Sequence, residues 1–571
     1  MKGYEIPKKM LRWHLYGAGF DNLKVEEADV PSYGENELLV RQDACGLCFS
    51  DTKVIGMGDT HPRLTGRDLK TNPVTLGHEV ACTVVGVGKN IVSRFHIGDR
   101  FVIQADVFYH GVSMAYGYVL SGGLSQYSVI PKEMLQGDEG VYLLPVKPTT
   151  GYVESALTEP WACVVSAYEQ HHRSGIKANG AVLIISTDQE HYDFTALFSE
   201  EHRPATLAYV GTNPAVLKPI QLFASTLNFK MEHVNSSAGD WRGLLDVHTG
   251  GKGFDDIIIL GQPDPDLIET LATLLADHGI LNLVHDAPIS RKVSIDIGRI
   301  HYNWHHYIGT ATRTIAESYR ESRTSDLLPG GVVWYIGAGG PMGQMHVQLA
   351  VQHPRPPRRI VASDVDAVRL QSTLDRFSKV AAERHIELID LNPKELGVEG
   401  MDVELRRLAG GSGFDDIVSL VPVPAIIEDA IRYLAPGGWF NIFAGVARGT
   451  MAKLDLNMVS LKRSRFIGSS GSSLNDMRQT LQKVENRELS TNSSLAAIGG
   501  MRAAREGIQA VKEGRFAGKA LIFPHIPDVP LLSLTELKSA YPTVYAKLKD
   551  GQFWTKEAEE EFLRIAGNEH S

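Results

Sequence analysis

Short runs rich in valine, isoleucine and leucine, separated by turn residues, fill residues 1 to about 175. Runs of this kind are typical of short β-strands joined by tight turns. We predict strands over ELLVRQDACGL (37–47), VACTVVGVG (80–88), DRFVIQADV (99–107) and LSQYSVIP (124–131). From Gly180 onward, apolar strands alternate with helical stretches, which predicts βαβ units and a parallel sheet. The expected fold class is therefore α/β, with a β-rich domain at the N-terminus.

The α/β region contains an internal repeat. GGKGFDDIIIL begins at residue 250, and the similar GGSGFDDIVSL begins 160 positions later, at residue 410. Tyr307-Ile308-Gly309 resembles Phe466-Ile467-Gly468 at an offset of 159. Matches in the same order at a nearly constant offset indicate two tandem copies of one α/β unit. We place these copies at residues 179–328 and 329–480.

The two copies differ at the positions that would bind a dinucleotide. After its first strand, the second copy has a glycine turn made of Gly337, Ala338, Gly339, Gly340, Pro341, Met342 and Gly343, and Asp364 ends its next strand. Glycines allow a pyrophosphate to approach the backbone, and the acid binds the ribose hydroxyls and repels a 2′-phosphate. The first copy has VLIISTDQEHYDF and no glycine turn. We therefore expect the second copy alone to bind a cofactor, and we expect that cofactor to be NAD.

Three short segments of the N-terminal region carry the side chains of a possible zinc site. They contain Cys48, Ser50 and Asp51, then His78-Glu79, and then Glu159-Pro160. A thiol, an imidazole and carboxylates can hold a catalytic zinc ion and leave one coordination position open. A Lewis-acid metal and a nicotinamide together indicate alcohol–carbonyl redox chemistry. The other cysteines, at positions 45, 82 and 163, are interpreted as small core residues.

These motifs resemble the medium-chain, zinc-dependent alcohol and polyol dehydrogenase family. The resemblance rests on CGLCFSD, GHEV, EPWACVVSA and the late segment GRFAGKALI (514–522), and is strongest to sorbitol, threonine and sugar-phosphate dehydrogenases. It implies a GroES-like catalytic domain over residues 1–178 and two Rossmann-like units, the first of them degenerate. Residues 481–571 would return to the catalytic domain.

The resemblance also implies a role for each site residue. Cys48, His78 and Glu159 match the zinc ligands, and Glu79 matches a carboxylate that binds the metal or orients the site. Ser50 matches the hydroxyl that hydrogen-bonds substrate and begins the proton relay, and Asp51 matches a carboxylate near the metal. In the cofactor domain, Arg369 follows Asp364 as in the family.

The chain departs from the family at two places with consequences for function. Lys53 stands where the family often has a histidine, so the outer step of the proton relay differs. The four-cysteine lobe of a structural zinc is absent, so we expect one catalytic zinc ion per chain.

Composition and charge exclude several classes of function. The chain has 571 residues, which predicts two or three domains, and its net charge of −10 argues against nucleic acid as a partner. Neither a signal peptide nor a run long enough to span a membrane is recognisable. Four sparse cysteines suit a reducing compartment, so we expect a cytoplasmic protein. A homo-oligomer is expected from the family resemblance.

Together these features predict an NAD- and zinc-dependent oxidoreductase acting on a secondary alcohol or ketone of a polyol or sugar. The substrate could carry a phosphate, such as sorbose 1-phosphate, because Arg63, Arg67 and Lys70 precede the His-Glu motif and could clamp it; the alternative is a solvated loop. A threonine-type amino-alcohol dehydrogenase and a non-catalytic ligand-binding or assembly protein are the alternative functions. The histidine-rich segment HYNWHHY (301–307) is interpreted as a surface or interface segment.

Overall fold

A computed structural model of the chain describes residues 5–64, 66–168, 173–235, 240–320, 323 and 327–568. The chain forms two compact units. The β-rich unit contains Met1–Ser166, Gly340–Met345 and Gly471–Ser571, and the α/β unit contains Ala167–Gly339 and His346–Ser470. The C-terminal hundred residues or so therefore belong to the same unit as the N-terminal region.

The strands follow one another along the chain in three groups. The first group is β1 (Lys9–Leu15), β2 (Leu23–Asp29), β3 (Leu38–Leu47), β4 (Glu79–Val87), β5 (Arg100–Ile103), β6 (Phe108–Tyr109), β7 (Val112–Ser113), β8 (Tyr127–Ile130) and β9 (Leu143–Pro145). The second group is β10 (Ala181–Ser186), β11 (Thr206–Val210), β12 (Lys230–Val234), β13 (Phe254–Leu260), β14 (Leu275–Val284), β15 (Val293–Asp296), β16 (His306–Thr310), β17 (Val332–Ile336), β18 (Arg359–Ser363), β19 (Glu387–Leu391), β20 (Phe414–Ser419), β21 (Leu434–Ile442), β22 (Met451–Leu454) and β23 (Arg465–Gly468). The third group is β24 (Leu495–Gly500), β25 (Lys519–Phe523) and β26 (Leu532–Ser533).

The α-helices lie between these strands and at the C-terminal end of the described chain. Those before the α/β region are α1 (Phe49–Met57), α2 (Lys132–Leu135), α3 (Tyr152–Ala156) and α4 (Thr158–Ser166). Those within it are α5 (Pro214–Leu227), α6 (Trp241–Thr249), α7 (Pro265–Ala272), α8 (Ile297–Tyr302), α9 (Pro341–Gln352), α10 (Ala367–Glu383), α11 (Pro393–Leu408), α12 (Pro424–Ala430) and α13 (Asn457–Ser460). The last are α14 (Leu474–Glu485), α15 (Ala504–Glu513), α16 (Leu537–Ala540), α17 (Pro542–Tyr545) and α18 (Lys556–Asn568). No helix among the described residues has the length and apolar character needed to cross a membrane.

The β-rich unit is built on an eight-stranded sheet that joins distant parts of the chain. Its order is β26-β24-β25-β3-β4-β5-β9, and β8 also pairs with β3. The late strand β25 runs antiparallel to β3, with Ile522 opposite Cys45 and Ala520 opposite Leu47. Both strands are mostly apolar and buried, so their pairing closes the core of the unit. This pairing places Lys519, the first residue of β25, beside the candidate metal site.

The α/β unit contains one twelve-stranded sheet whose two halves have the same strand order. The first half runs β12-β11-β10-β13-β14-β16 and the second, read from its own edge, runs β19-β18-β17-β20-β21-β23. Within each half the neighbouring strands are parallel. The inner strands are continuous apolar runs, such as AVLIIS in β10, because they are buried on both faces. Each half therefore has the strand order of a dinucleotide-binding fold.

The two halves meet through their last strands. β16 pairs antiparallel with β23 at Tyr307 and Phe466, and β15 pairs antiparallel with β22. Each of these strands thus pairs with the corresponding strand of the other half, as strands do across a twofold dimer interface. At the junction Gly468 has no side chain because a Cβ there would lie 2.5 Å from the Ile300 carbonyl oxygen of α8.

Of the two alternatives for HYNWHHY, a surface or an interface segment, the surface alternative was wrong. Its histidines His301, His305 and His306 are all buried, with at most 7% of each residue exposed. The segment leads into β16, which lies at the middle of the twelve-stranded sheet. Burial lowers the pKa of His305 to about 3, so this imidazole is neutral at physiological pH. The polar sequence did not indicate a core strand, because one of the two neighbours of β16 in the sheet, β23, comes from the other half.

Candidate active site

Cys48 stands at the point where strand β3 ends and helix α1 begins. Its backbone N–H donates a hydrogen bond to Asp51 Oδ2 at 2.9 Å, which closes the first turn of the helix. The strand–helix junction therefore presents Cys48 as a candidate metal ligand.

His78 and Glu79 come from the start of β4, the strand next to β3 in the sheet. Ligand atoms of Cys48, His78 and Glu79 all lie within 4.8 Å of one another. Within the described residues, this is the single group of three or more His, Cys, Asp or Glu side chains that could hold a metal ion. Gly46 lies opposite Glu79 in β3, and any Cβ at this position would clash with Glu79 Oε2.

The donor set of this group fits a zinc ion. Cysteine, histidine and carboxylate are the ligand types that zinc prefers. Glu79 is fully buried, and its Oε2 has no hydrogen-bond partner among the described residues. A buried carboxylate oxygen without a partner is costly unless a ligand satisfies it. A bound zinc ion would satisfy it.

Glu79 is also held by a residue from the far end of the chain. Lys519 Nζ lies 2.5 Å from Glu79 Oε1, and both side chains are almost completely buried. Burial alone would lower the pKa of Lys519, but the charges of Glu79, Cys48 and Glu159, with the hydrogen bond to Glu79, together raise it. Sequence analysis assigned no role to Lys519, although a lone cation at the start of the apolar strand KALIF is a sign of a buried partner.

Replacing Lys519 with methionine is expected to lower the free energy of unfolding of the metal-free protein by about 3–5 kcal/mol. The substitution leaves the Glu79 charge buried without its partner, and breaking a buried pair on one side costs about that much. Chemical denaturation after chelation of zinc measures the change.

The double variant Lys519→Met/Glu79→Gln removes both charges and should recover most of the lost stability. As a control, Lys538→Met removes an exposed lysine of the same unit and should change stability by less than about 0.5 kcal/mol. Equal losses in the single and double variants would show that the ion pair does not account for the effect.

Ser50 and Asp51 both contact the imidazole of His78. Ser50 Oγ lies 3.2 Å from His78 Nε2, and Asp51 Oδ1 lies 3.4 Å from Nδ1. Asp51 is 1% exposed and is anchored by the Cys48 backbone N–H. The two side chains flank the ring on both nitrogens and so restrict its orientation. The structure thereby brings the two predicted residues to the predicted metal site.

Glu159 lies in the first turn of α4 and is not a member of the group of three. Burial raises the pKa of its carboxyl group, and the His78 charge opposes this effect while the Glu79 charge adds to it. Its titration therefore responds to both His78 and Glu79. Cys163 follows one turn later, and its thiol faces the Glu159 carbonyl oxygen at 3.8 Å.

One aromatic residue, Tyr118, and one basic residue, Arg63, lie near the metal site, although sequence analysis did not assign them to it. The Tyr118 ring lies 5.6 Å from the His78 ring and 5.8 Å from the His61 ring. The Arg63 guanidinium lies 4.8 Å from the centre of the Tyr118 ring, and 2.8 Å from Asp106 Oδ1. No spacing in the sequence connects residue 118 with residue 78, so these contacts could not be predicted from motifs.

The three cations proposed as a phosphate clamp have different environments. Arg67 donates hydrogen bonds to the carbonyl oxygens of residues 72, 73, 118 and 119, so its guanidinium is used to hold loops together. Lys70 is exposed. Arg63 has 41% of its side chain exposed, and its guanidinium faces the Tyr118 ring.

The glycine turn of the second copy follows β17 and precedes α9 in the chain. Gly337 has φ of +90°, and a Cβ there would lie 2.7 Å from Val421 Cγ1. Gly339 donates its N–H to Asp364 Oδ2 at 2.9 Å, and a Cβ on Gly339 would collide with this carboxylate. These positions therefore require glycine, and the turn lies close against Asp364.

Asp364 and its neighbours form one wall of a cavity of about 450 Å³ in the α/β unit. Asp366 donates its N–H to Asp364 Oδ1 at 2.9 Å and caps α10. Arg369 Nε lies 3.0 Å from Asp366 Oδ2, so the arginine turns toward the cap. The cavity is otherwise mostly apolar, and its lining includes Trp334, Ile336, Val365, Met401, Val421 and Ile426. An apolar slot beside a fixed carboxylate fits the adenosine part of a dinucleotide.

Comparison with known proteins identifies the family. Residues 34–137 match the alcohol dehydrogenase GroES-like domain. The chain is 30% identical over 348 residues to the uncharacterized protein YggP of Escherichia coli, an alignment that covers 57% of this chain and 79% of that protein. The chain belongs to the medium-chain, zinc-dependent alcohol and polyol dehydrogenase family. As a member of this family it is an oxidoreductase that acts on CH–OH groups and uses zinc and a nicotinamide cofactor.

Two named relatives of this dehydrogenase act on phosphorylated compounds. The mannitol-1-phosphate 5-dehydrogenase of Aliivibrio fischeri is 24% identical over 562 residues, which cover 96% of each chain. The L-sorbose 1-phosphate reductase of Klebsiella pneumoniae is 29% identical over 320 residues, which cover 52% of this chain and 74% of that protein.

Solved structures show the same fold. The 2R,3R-butanediol dehydrogenase of Bacillus subtilis aligns with a TM-score of 0.51 at 15% identity, over 90% of this chain and 99% of that chain. An alcohol dehydrogenase of Thermotoga maritima aligns with a TM-score of 0.52 at 14% identity, also over 90% and 99%. At these identities the likeness describes the architecture of the dehydrogenase and not its substrate.

Proposed function

We propose that this dehydrogenase interconverts the secondary alcohol and the ketone of a polyol or sugar phosphate, with one zinc ion and NAD. The names of the relatives from Aliivibrio fischeri and Klebsiella pneumoniae support a phosphorylated substrate. Asp364 supports NAD over NADP, because a carboxylate that accepts from ribose hydroxyls repels a 2′-phosphate. A cytoplasmic location and a homo-oligomeric state stay predictions from the sequence.

The position of Arg63 is the observation that carries the choice of a phosphate ester. Its guanidinium lies 4.8 Å from the centre of the Tyr118 ring. The same ring lies 5.6 Å from the ring of the candidate ligand His78. Burial lowers the pKa of His61, and the charges of Arg63 and Lys53 lower it further, so these cations share one neighbourhood. Arginine binds phosphate through two parallel hydrogen bonds. A phosphate several bonds from the reacting carbon would meet these cations.

Each residue of the candidate site has a separate proposed role in the reaction. A bound zinc ion supplies Lewis acidity that polarises the carbon–oxygen bond of the substrate. The nicotinamide of NAD, when bound, would supply the acceptor or donor for the hydride. Cys48, His78 and Glu79, whose ligand atoms lie within 4.8 Å of one another, would hold the metal, and Glu159 would supply a further carboxylate to the site. Ser50 Oγ would accept the proton of the substrate hydroxyl while releasing its own hydroxyl proton toward solvent, and Asp51 fixes the imidazole of His78 beside it.

The proposal predicts that a phosphate ester is a far better substrate than the corresponding free polyol. The test measures NADH absorbance with NAD⁺ and matched pairs: mannitol 1-phosphate with mannitol, and sorbitol 6-phosphate with sorbitol. L-Sorbose 1-phosphate with NADH tests the reverse direction. We expect kcat/KM to be about a hundredfold higher for the ester, since charge-assisted hydrogen bonds contribute about 1.5–3 kcal/mol each. Arg63→Gln should remove most of this preference while changing turnover of the free polyol little.

A matched control replaces Lys89, an exposed lysine of the same unit paired with Glu35, with methionine. Lys89→Met should leave the preference for the ester unchanged. Turnover of threonine but of no polyol or ester would instead support an amino-alcohol dehydrogenase. A purified protein that holds neither zinc nor NAD would support a non-catalytic function.

A further inference from the structure

The first half of the α/β unit contains a cavity of its own. It has a volume of about 420 Å³ and lies where β10, β13, β14 and β16 end, between the residues that follow these strands. In open α/β sheets, ligands bind outside the carboxyl ends of the strands, where the strand order reverses. From β10 the chain continues to β11 and β12 on one side, and then crosses back to β13 on the other side of β10. The strand order therefore reverses at β10, beside this cavity. The cavity therefore has both the size and the position of a small-molecule site.

The second half has small residues where this cavity has polar ones. The offset of 159 between β14 and β21 aligns His285 and Asp286 with Ala444 and Gly445. Sheet register aligns Thr187 and Asp188 with Ala338 and Gly339 of the glycine turn. Polar side chains thus fill the space that would seat a dinucleotide, and the backbone cradle for phosphate is missing. The cavity is suited to a smaller ligand of different charge.

His285 supplies an acceptor that no group of the described residues satisfies. The residue is 5% exposed and lines the cavity. Its Nδ1 lies 2.7 Å from the Ala287 carbonyl oxygen, so Nδ1 carries the hydrogen and Nε2 is left as an acceptor. Nε2 has no hydrogen-bond partner among the described residues. A buried acceptor of this kind indicates a ligand that donates a hydrogen bond.

The charges around the cavity also favour a ligand that donates hydrogen bonds and carries positive charge. Asp188, Glu190 and Asp286 line it, and Arg313 is its one lining cation. Glu190 pairs with Arg313, and Asp286 Oδ2 is 4.0 Å from the same guanidinium. Asp188 accepts from the Tyr192 hydroxyl at 2.7 Å. Three carboxylates against one guanidinium leave a net negative lining, which disfavours phosphate and favours a cation.

A metal ion is the wrong kind of cation for this cavity. Among the described residues, no three histidine, cysteine or acidic side chains come together to form a metal site except Cys48, His78 and Glu79. The carboxylates and the imidazole are therefore too far apart to share one ion, but they can each accept from a different group of an organic ligand. We propose that this cavity binds a small ammonium ion that also carries hydroxyl groups, the chemistry of an amino sugar or an amino alcohol.

Isothermal titration calorimetry on the full-length, zinc-loaded protein tests the proposal with matched pairs of probes. Glucosamine is compared with glucose, and 2-amino-1,3-propanediol with glycerol; glucose 6-phosphate is the anionic control. At least one ammonium probe should bind about tenfold or more tightly than its hydroxyl counterpart, and glucose 6-phosphate should not compete. Asp286→Asn should weaken ammonium binding about tenfold, because it removes one exposed charge from the lining.

Two further variants make the result specific to this cavity. Ala311→Arg adds a cation at an exposed lining position and should abolish ammonium binding. Glu201→Gln removes an exposed carboxylate that does not line the cavity and should change nothing. Equal affinity for the ammonium and hydroxyl probes, binding that survives both Asp286→Asn and Ala311→Arg, or no binding of any probe would each overturn the proposal.

Discussion

Replacing Cys48 with serine is expected to strip the zinc ion from the protein and to lower kcat/KM at least about a thousandfold. A serine hydroxyl does not ionise near neutral pH and is a poor ligand for zinc, whereas a cysteine thiolate is one of the ligands that zinc prefers. Losing the Lewis acid removes several kcal/mol of transition-state stabilisation, and each 1.36 kcal/mol is a factor of ten. Metal content by atomic emission and NADH absorbance together measure the two effects.

The matched control is Cys82→Ala. Cys82 lies in β4, only a few residues beyond Glu79, and is 1% exposed, but it takes no part in the group of candidate ligands. Removing its sulfur should cost stability through the small cavity it leaves, while zinc content and kcat stay close to those of the parent protein. Zinc retained in Cys48→Ser at full activity would refute the assignment of the metal site.

The site residues that the sequence predicted are those carried by short local motifs. Cys48, Ser50 and Asp51 lie within one turn of helix, and His78 and Glu79 are adjacent, so their spacing in the sequence already restricts their geometry. Lys519 could not be assigned in this way, because it reaches Glu79 through the pairing of β25 with β3, 440 positions along the chain. Arg67 resembled a free cation in the sequence, but backbone carbonyl oxygens occupy its guanidinium.

In the fold too, contacts between segments far apart in the sequence could not be predicted from local motifs. The repeated segments and their offset predicted two α/β copies, and periodicity predicted parallel strands within each. The antiparallel pairing of β16 with β23 follows from how one half packs against the other, and no local pattern specifies it. The cavity of the first half was hidden for a related reason. Its lost glycine turn indicates what that half cannot bind, whereas the side chains that line it come from four separate strand ends.

Replacing Asp364 with asparagine is expected to lower kcat/KM for NAD about 10- to 100-fold and to raise it for NADP. Asparagine has the same shape, and with its amide oxygen toward the Gly339 N–H it keeps the glycine turn, although it loses the hydrogen bond from the Asp366 N–H. The substitution replaces hydrogen bonds to a charged group, which contribute about 1.5–3 kcal/mol each, with neutral ones that contribute about 0.5–1.5 kcal/mol each. It also removes the repulsion of a 2′-phosphate. Initial rates with both cofactors at one substrate concentration give the ratio.

Asp366→Asn provides the matched control for this experiment. Asp366 lies two residues away and uses its carboxylate to cap α10 and to hold Arg369, so it contributes to the helix and not to the ribose. Its replacement should cost at most about 1 kcal/mol of stability, because asparagine is also a good N-cap, and should leave the ratio of NAD to NADP activity unchanged. If Asp366→Asn shifted this ratio and Asp364→Asn did not, the carboxylate that selects the cofactor would be Asp366. Since Asp364 forms a wall of the 450 Å³ cavity and Asp366 is turned to the helix, we expect the opposite result.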